Sequence, residues 1–288
     1  MVHASTWTGV GLHPDRCFVC CYLISRRLVA GQWSRSDHPR QCGAPFVACA
    51  RGSLPQRGDY RRCADPRWHD ATDAAKLARS IGTLGCALPW LLGCDSSSYV
   101  LSTGAELFRA GYTAARMNLR DHGDTAHLNL ELYHSVRTRD VVDLVKALAS
   151  RPGTRGAAVT GFSLGGNFAL RVARGTALPA LAVCPAIDPA ETTQRIDHGP
   201  GSTIYRRYFL RKWEASLEAK AQAFPRHYDF SAARSLRSVQ AMTDYFVQEH
   251  SGFTDTRAYF DAYDLTGNAL QGVAATVLIA ADDPIIGA

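Results

Sequence analysis

GFSLGGNFAL, residues Gly161–Leu170, sets a serine among glycines where one sequence pattern gives way to another. Before it, GAAVTG (156–161) is short, small and uncharged, which predicts a buried strand. After it, Leu164 to Arg174 predicts a helix. A sharp strand-to-helix turn leaves no room for side chains two residues to either side of its centre. Gly161 and Gly165 therefore meet the steric demand of the G-x-S-x-G pattern. Such a turn exposes the hydroxyl of Ser163 and aims the start of the next helix at it. Backbone N–H groups there, with Leu164 as the first donor, and the helix dipole favour charge developing on an oxyanion. A bare G-x-S-x-G also arises by chance; the strand before it and the helix after it set this one apart.

Outward from the turn, strands and helices alternate. Tyr112–Leu119 (YTAARMNL) predicts a buried strand, preceded by a helix containing Glu106–Ala110 that Gly111 ends. Arg139–Ser150 carries Val141, Val142, Leu144, Val145 and Leu148 at helical spacing and stops at Pro152-Gly153. Leu181–Cys184 and Thr276–Ala281 (TVLIAA) predict two more strands. Between them, residues 188–270 read as mostly helical, with KWEASLEAKAQAF (212–224) the clearest run. This alternation predicts an α/β fold with a mostly parallel central sheet, helices on both faces and a helical cap. Active sites in such sheets lie at the carboxyl ends of strands, where Ser163 and the pair Asp282-Asp283 both fall.

A serine hydroxyl needs a base, and the base an orienting acid. In this architecture the chain order is serine, acid, histidine. Asp283, after an apolar strand, is the candidate acid; an aspartate pair there also suits a turn or helix cap. The last histidine is His250, upstream of that acid. His122, Asp124 and His127 form an H-x-D-x-x-H cluster, but without a third ligand position a polar-loop role is the simpler reading. No metal, nucleotide or organic cofactor is expected.

Composition divides the chain. Residues 1–92 hold 12 Lys+Arg against 6 Asp+Glu, and residues 93–288 hold 20 of each, so the net charge of +6 belongs to the first third. Cys17, Cys20, Cys21, Cys42, Cys49, Cys63, Cys86 and Cys94 also lie early, and only Cys184 follows. A disulfide-rich module would need a secretory context, and Cys17-x-x-Cys20 lacks a second pair for zinc. Residues 1–92 are therefore read as an aberrant, poorly ordered region, such as a shifted reading frame. Residues 93–288 are read as the organised domain, with the cap at about 188–270. The balanced charge of that part argues against nucleic acid as a partner. No apolar run reaches the ~20 residues of a membrane helix. No signal-peptide pattern is present, so a cytoplasmic location is expected.

From about Gly93 onward the chain resembles the YheT-like α/β-hydrolases. GCDSSSYV (93–100), AARMNLRDHGDTAHLNLELYHS (114–135), TGFSLGGNFALR (160–171), CPAIDPAETTQRID (184–197), YRRYFLRKWEASLEAKAQAFPRHYDF (205–230), SVQAMTDYF (238–246) and ADDPII (281–286) carry the likeness. It implies the α/β-hydrolase fold, incomplete here at both ends, and a serine carboxylic ester hydrolase. Ser163 matches the family nucleophile, Asp283 its acid, and a small-molecule or lipid ester is the implied substrate. Pro89-Trp90 stand where the family has the His-Gly segment that helps build the oxyanion hole, and the family's histidine lies beyond Asp283. Weak catalysis is the expectation, with Tyr205, Tyr208, Phe209, Trp213 and Phe224 as possible lining of an acyl pocket. The alternative is a non-catalytic ligand-binding protein, or an inactive fragment, on a hydrolase scaffold.

Overall fold

The computed structural model describes the strand His3–Trp7 and residues 82–151 and 153–287. Among these residues six strands form one sheet: β1 (His3–Trp7), β2 (Gly82–Leu88), β3 (Thr113–Arg116), β4 (Thr154–Phe162), β5 (Ala180–Val183) and β6 (Ala275–Ala280). Their spatial order is β1-β6-β5-β4-β2-β3, and every neighbouring pair is parallel. The parallel α/β class expected from the alternating pattern is the one found.

Three helices flank the sheet: α1 (Ser98–Arg109), α2 (Thr138–Ala149) and α3 (Leu164–Thr176). The period-2 alternation of β2 assigns its two faces. Ala87 packs with Tyr99 and Val100 of α1 and with Phe162 and Val183. Cys86 and Leu88 pack on the opposite side with Val141, Val145 and Leu148 of α2 and Phe168 of α3. Helix α2 follows from its spacing, since Val141, Val145 and Leu148 fall on one buried stripe. Helix α3 is buried from Leu164 to Ala173, and Ala177 ends it in the left-handed conformation at φ +57. Burial of Phe168, which is fully enclosed, contributes on the order of 2–3 kcal/mol.

The organised fold starts before residue 93, which corrects the boundary drawn from composition. Strand β2 is an interior strand between β3 and β4, yet its sequence GTLGCAL has neither alternation nor a β-branched run. Packing explains the small residues: a Cβ at Gly85 would lie 3.0 Å from the methyl carbons of Leu107 on α1. Strand β1 also falls within that first third. The cysteines at 17, 20, 21, 42, 49 and 63, and the zinc-like pair among them, lie outside the described residues. Cys86, Cys94 and Cys184 are buried and form no disulfide with one another.

Between β5 and β6 the chain builds an all-helical layer: α4 (Pro189–His198), α5 (Ser202–Ala223), α6 (Val239–Phe246) and α7 (Thr256–Asp261). Side chains cap three of these helices. Asp188 accepts the N–H of Glu191, Ser238 that of Ala241 and Asp255 that of Ala258. The buried carboxylate of Asp197, near the end of α4, accepts the N–H groups of Val239 and Gln240, each at 2.8 Å. One aspartate thus holds the first turn of α6 against α4. Among the described residues no helix is long and apolar enough to cross a membrane.

Candidate active site

Ser163 stands at the carboxyl end of β4, immediately before α3, with φ +50 and ψ −119. A non-glycine residue there is strained by roughly 1–3 kcal/mol, and such strain persists only where the surroundings dictate it. They do so here. Its N–H donates to the Val183 carbonyl at 2.9 Å, and its own carbonyl accepts from Asn167 at 3.1 Å and Ala186 at 3.3 Å. The glycines close the turn: a Cβ on Gly161 would sit 2.0 Å from the Gly165 carbonyl oxygen, and one on Gly165 would sit 2.2 Å from the Pro89 carbonyl oxygen. Gly166 faces Pro185. The small residues of the motif are thus required by backbone contacts on three sides.

Ser163 opens into a cavity of about 100 Å³. Leu91, Leu92 and Leu164 line it from the side of the sheet, and Ile196, Phe209, Trp213, Leu217, Val239 and Phe246 line it from the helical layer. Of the five aromatics anticipated for a pocket, Phe209 and Trp213 line it. Tyr205, Tyr208 and Phe224 do not; Tyr208 packs edge-on against Phe209, and Phe224 lies just past the end of α5.

As the first residue of α3, Leu164 has an N–H with no acceptor inside the helix. The turn after β2 carries further backbone N–H groups. Pro89 has no N–H, but its neighbours do. Trp90 donates to the Tyr99 hydroxyl at 3.0 Å, and Leu92 donates to His122 Nε2 at 2.9 Å. The N–H of Leu91, between them, has no acceptor among the described residues. Proline at position 89 therefore removes one N–H from the turn but leaves that of Leu91, a residue lining the cavity, without an acceptor among the described residues.

The histidines divide clearly. His122 is buried and lines the cavity, but both ring nitrogens are committed: Nδ1 donates to the Arg120 carbonyl at 2.8 Å and Nε2 accepts from Leu92. Those partners fix the neutral tautomer with the proton on Nδ1. Burial pushes its pKa down to about 4, against a weaker upward pull from Arg120. His134 lines the same cavity, its pKa also lowered to about 4 by burial and by the Arg137 charge, and its Nδ1 has no partner. Asp124 and His127 are exposed while His122 is buried, so the H-x-D-x-x-H spacing does not converge. Among the described residues no cluster suited to a metal ion exists.

Asp283 is buried, whereas Asp282 is exposed. Its Oδ1 accepts the N–H groups of Ile285 at 2.9 Å and Ile286 at 3.0 Å, so it caps the turn after β6. The carboxylate is not among the groups lining the cavity; Ile285, two residues on, is.

Four residues that sequence reasoning missed support the site. Asp121 lines the cavity at φ +58, and its carboxylate accepts from Tyr133 N–H at 2.7 Å and from Lys220 of α5 at 2.8 Å. Asn167 donates to the carbonyls of Ala186 and Tyr263, and accepts from Arg171 Nε at 2.8 Å. Arg171, buried against the Phe168 ring, donates to the Ser135 carbonyl at 2.5 Å. These contacts join α3, the loop after β3 and the helical layer around Ser163. An Asp within a polar loop and a Lys on a polar helix carry no mark of burial in the sequence.

A family model described as the alpha/beta hydrolase family matches residues 82–288. No curated protein is significantly similar to the chain in sequence. Solved structures with partial similarity include three hydrolases. The esterase Pf2001 of Pyrococcus furiosus is 17% identical over 51% of this chain and 72% of its own, with a TM-score of 0.37. The alpha/beta hydrolase GrgF of Penicillium sp. sh18 is 14% identical over 69% and 71%, at 0.41. Est1E of Butyrivibrio proteoclasticus, solved with ferulic acid bound, is 14% identical over 40% and 48%, at 0.34, so this chain spans about half its length.

Proposed function

The chain belongs to the α/β-hydrolase family, and from that premise we propose that it is a serine carboxylic ester hydrolase of the YheT-like branch. The observation that carries this reading is the strained turn at Ser163, which opens into a largely apolar cavity. Ser163 attacks the ester carbonyl and forms an acyl-enzyme. The N–H groups of Leu164 and Leu91 receive the oxyanion. Asp283 holds the place of the family acid at the end of β6, where its carboxylate caps the turn through the Ile285 and Ile286 N–H groups. His122 is not the base, because a nitrogen that already accepts the Leu92 N–H has no lone pair left for a serine proton.

The cavity suits a short acyl chain. An apolar cavity of about 150 Å³ holds benzene, and this one is smaller, at about 100 Å³. Ser163 and the oxyanion donors by themselves account for slow turnover. A serine hydrolase stripped of a triad member retains roughly 10³–10⁴-fold catalysis over water from its oxyanion hole and binding. A cytoplasmic location completes the reading.

The test is hydrolysis of p-nitrophenyl butyrate, whose leaving group departs without needing a proton. Slow turnover that disappears in Ser163→Ala supports the assignment. Turnover unchanged in that variant, or none in the native chain, overturns it. A butyrate ester that raises the melting temperature without being cleaved favours the binding-protein reading instead.

A further inference from the structure

We propose that Tyr99 and His122 are positioning residues that grip the turn after β2 at two adjacent points and thereby reserve the Leu91 N–H for the oxyanion; this rests on the hydrolase reading above. The turn is short and under strain. Leu92 adopts φ +60, and the Gly93 N–H closes back on the Trp90 carbonyl at 3.0 Å. A left-handed leucine reverts to ordinary backbone unless something holds it. Two side chains from different elements do so: the Tyr99 hydroxyl from α1 accepts from Trp90, and His122 Nε2, from the loop after β3, accepts from Leu92. The N–H groups on either side of Leu91 are thus occupied and its own is left over.

Both anchors are themselves fixed. Tyr99 is buried between Trp90 at 4.3 Å and Phe162 at 4.8 Å, ring centre to ring centre, and Phe162 directly precedes Ser163. A Cβ on Gly93 would lie 2.4 Å from the Tyr99 hydroxyl, so glycine is needed to admit it. The His122 ring stands edge-on to Tyr133 at 4.6 Å, with Nδ1 tied to the Arg120 carbonyl. Each contact locks a rotamer, as an oxyanion donor that must not reorganise during reaction requires. The histidine that resembles a metal ligand in sequence acts as a backbone clamp.

The experiment is titration of the ¹⁵N-labelled full chain with butylboronic acid, which forms a tetrahedral adduct on an active-site serine, followed by amide NMR. The expected result is a downfield shift of the Leu91 and Leu164 amide protons on adduct formation, with those of Trp90 and Leu92 unmoved. In Tyr99→Phe and His122→Ala, boronate affinity falls about 100-fold, the scale of one lost oxyanion donor, and the Leu91 shift disappears while that of Leu164 remains. His122→Gln, which keeps an acceptor near the Nε2 position, recovers most of the affinity. The native-chain titration stands even if His122→Ala does not fold. A Leu164 shift without a Leu91 shift overturns the clamp and leaves the hydrolase reading intact, as does native affinity in folded Tyr99→Phe. Failure of the native chain to form any adduct at Ser163 overturns both.

Discussion

Lys220 Nζ lies 2.8 Å from Asp121 Oδ1, and both side chains are almost fully buried. The same ammonium donates to the carbonyls of Asn129 at 2.6 Å, Glu131 at 3.2 Å and Ala126 at 3.3 Å. Burial raises the Asp121 carboxyl pKa, and hydrogen bonding and charge from Lys220 pull it back. The pair fastens α5 of the helical layer to the loop that also supplies His122, so the roof of the cavity is tied to the parent fold. Lys220→Met leaves the buried Asp121 charge uncompensated, with only the Tyr133 N–H on its carboxylate, and takes the donor from three carbonyls. Its expected effect is a loss of about 3–5 kcal/mol in urea unfolding. Asp121→Asn should lose less, because the amide oxygen still accepts from Tyr133 and Lys220 keeps its carbonyls.

Ser163 and its glycines predict a ranked series. Ser163→Gly relieves the backbone at φ +50 and should stabilise the fold by about 1–3 kcal/mol while removing the proposed nucleophile. Ser163→Ala keeps the strain and should unfold close to the native midpoint. Gly161→Ala and Gly165→Ala drive a Cβ into backbone oxygen and should each be severely destabilising, beyond about 4 kcal/mol. Gly166→Ala meets the Pro185 side chain at 3.0 Å and should be the mildest of the three. Thermal unfolding of the five variants checks the order.

Acid should loosen the site through His122. Its folded pKa is about 4 against an ordinary 6.5. The unfolded chain therefore binds the extra proton first. The stability from keeping the ring neutral is fully present above pH 6.5. It falls as pH drops from 6.5 towards 4, then levels. A shift of that size corresponds to roughly 3 kcal/mol. Urea midpoints at pH 7, 5.5 and 4.5 measure it, and the slope should flatten in His122→Gln.

Cavity size should set acyl preference. Trp213 and Phe209 wall the cavity from α5. Trp213→Ala should lower the rate with p-nitrophenyl butyrate and raise it with the octanoate, inverting the native order, since a deleted ring leaves room for further methylenes. An unchanged order would place the acyl group elsewhere.

The sequence reveals much of this molecule because local signals and long-range packing agree there. Gly161 to Gly165 read as a nucleophile turn since a period change and two steric glycines coincide. Helix α2 was legible from Val141, Val145 and Leu148 alone. The limits of legibility are equally physical. Strand β2 went unseen because GTLGCAL lacks the Val/Ile/Leu run usual in a parallel strand buried on both faces; close packing of Leu107 is what calls for glycine at Gly85. His122 could not be assigned from spacing, since its role depends on a backbone N–H thirty residues away. Lys220 sits in a helix whose other charges are mostly exposed, and only the fold shows that this one is inside.

The most direct test of the central claim is intact-mass analysis of the full chain after exposure to a fluorophosphonate, followed by peptide mapping. A single adduct on Ser163, absent from Ser163→Ala and blocked by butylboronic acid, is the result expected of a hydrolase nucleophile. An unmodified chain, or an adduct that persists in Ser163→Ala, would contradict it.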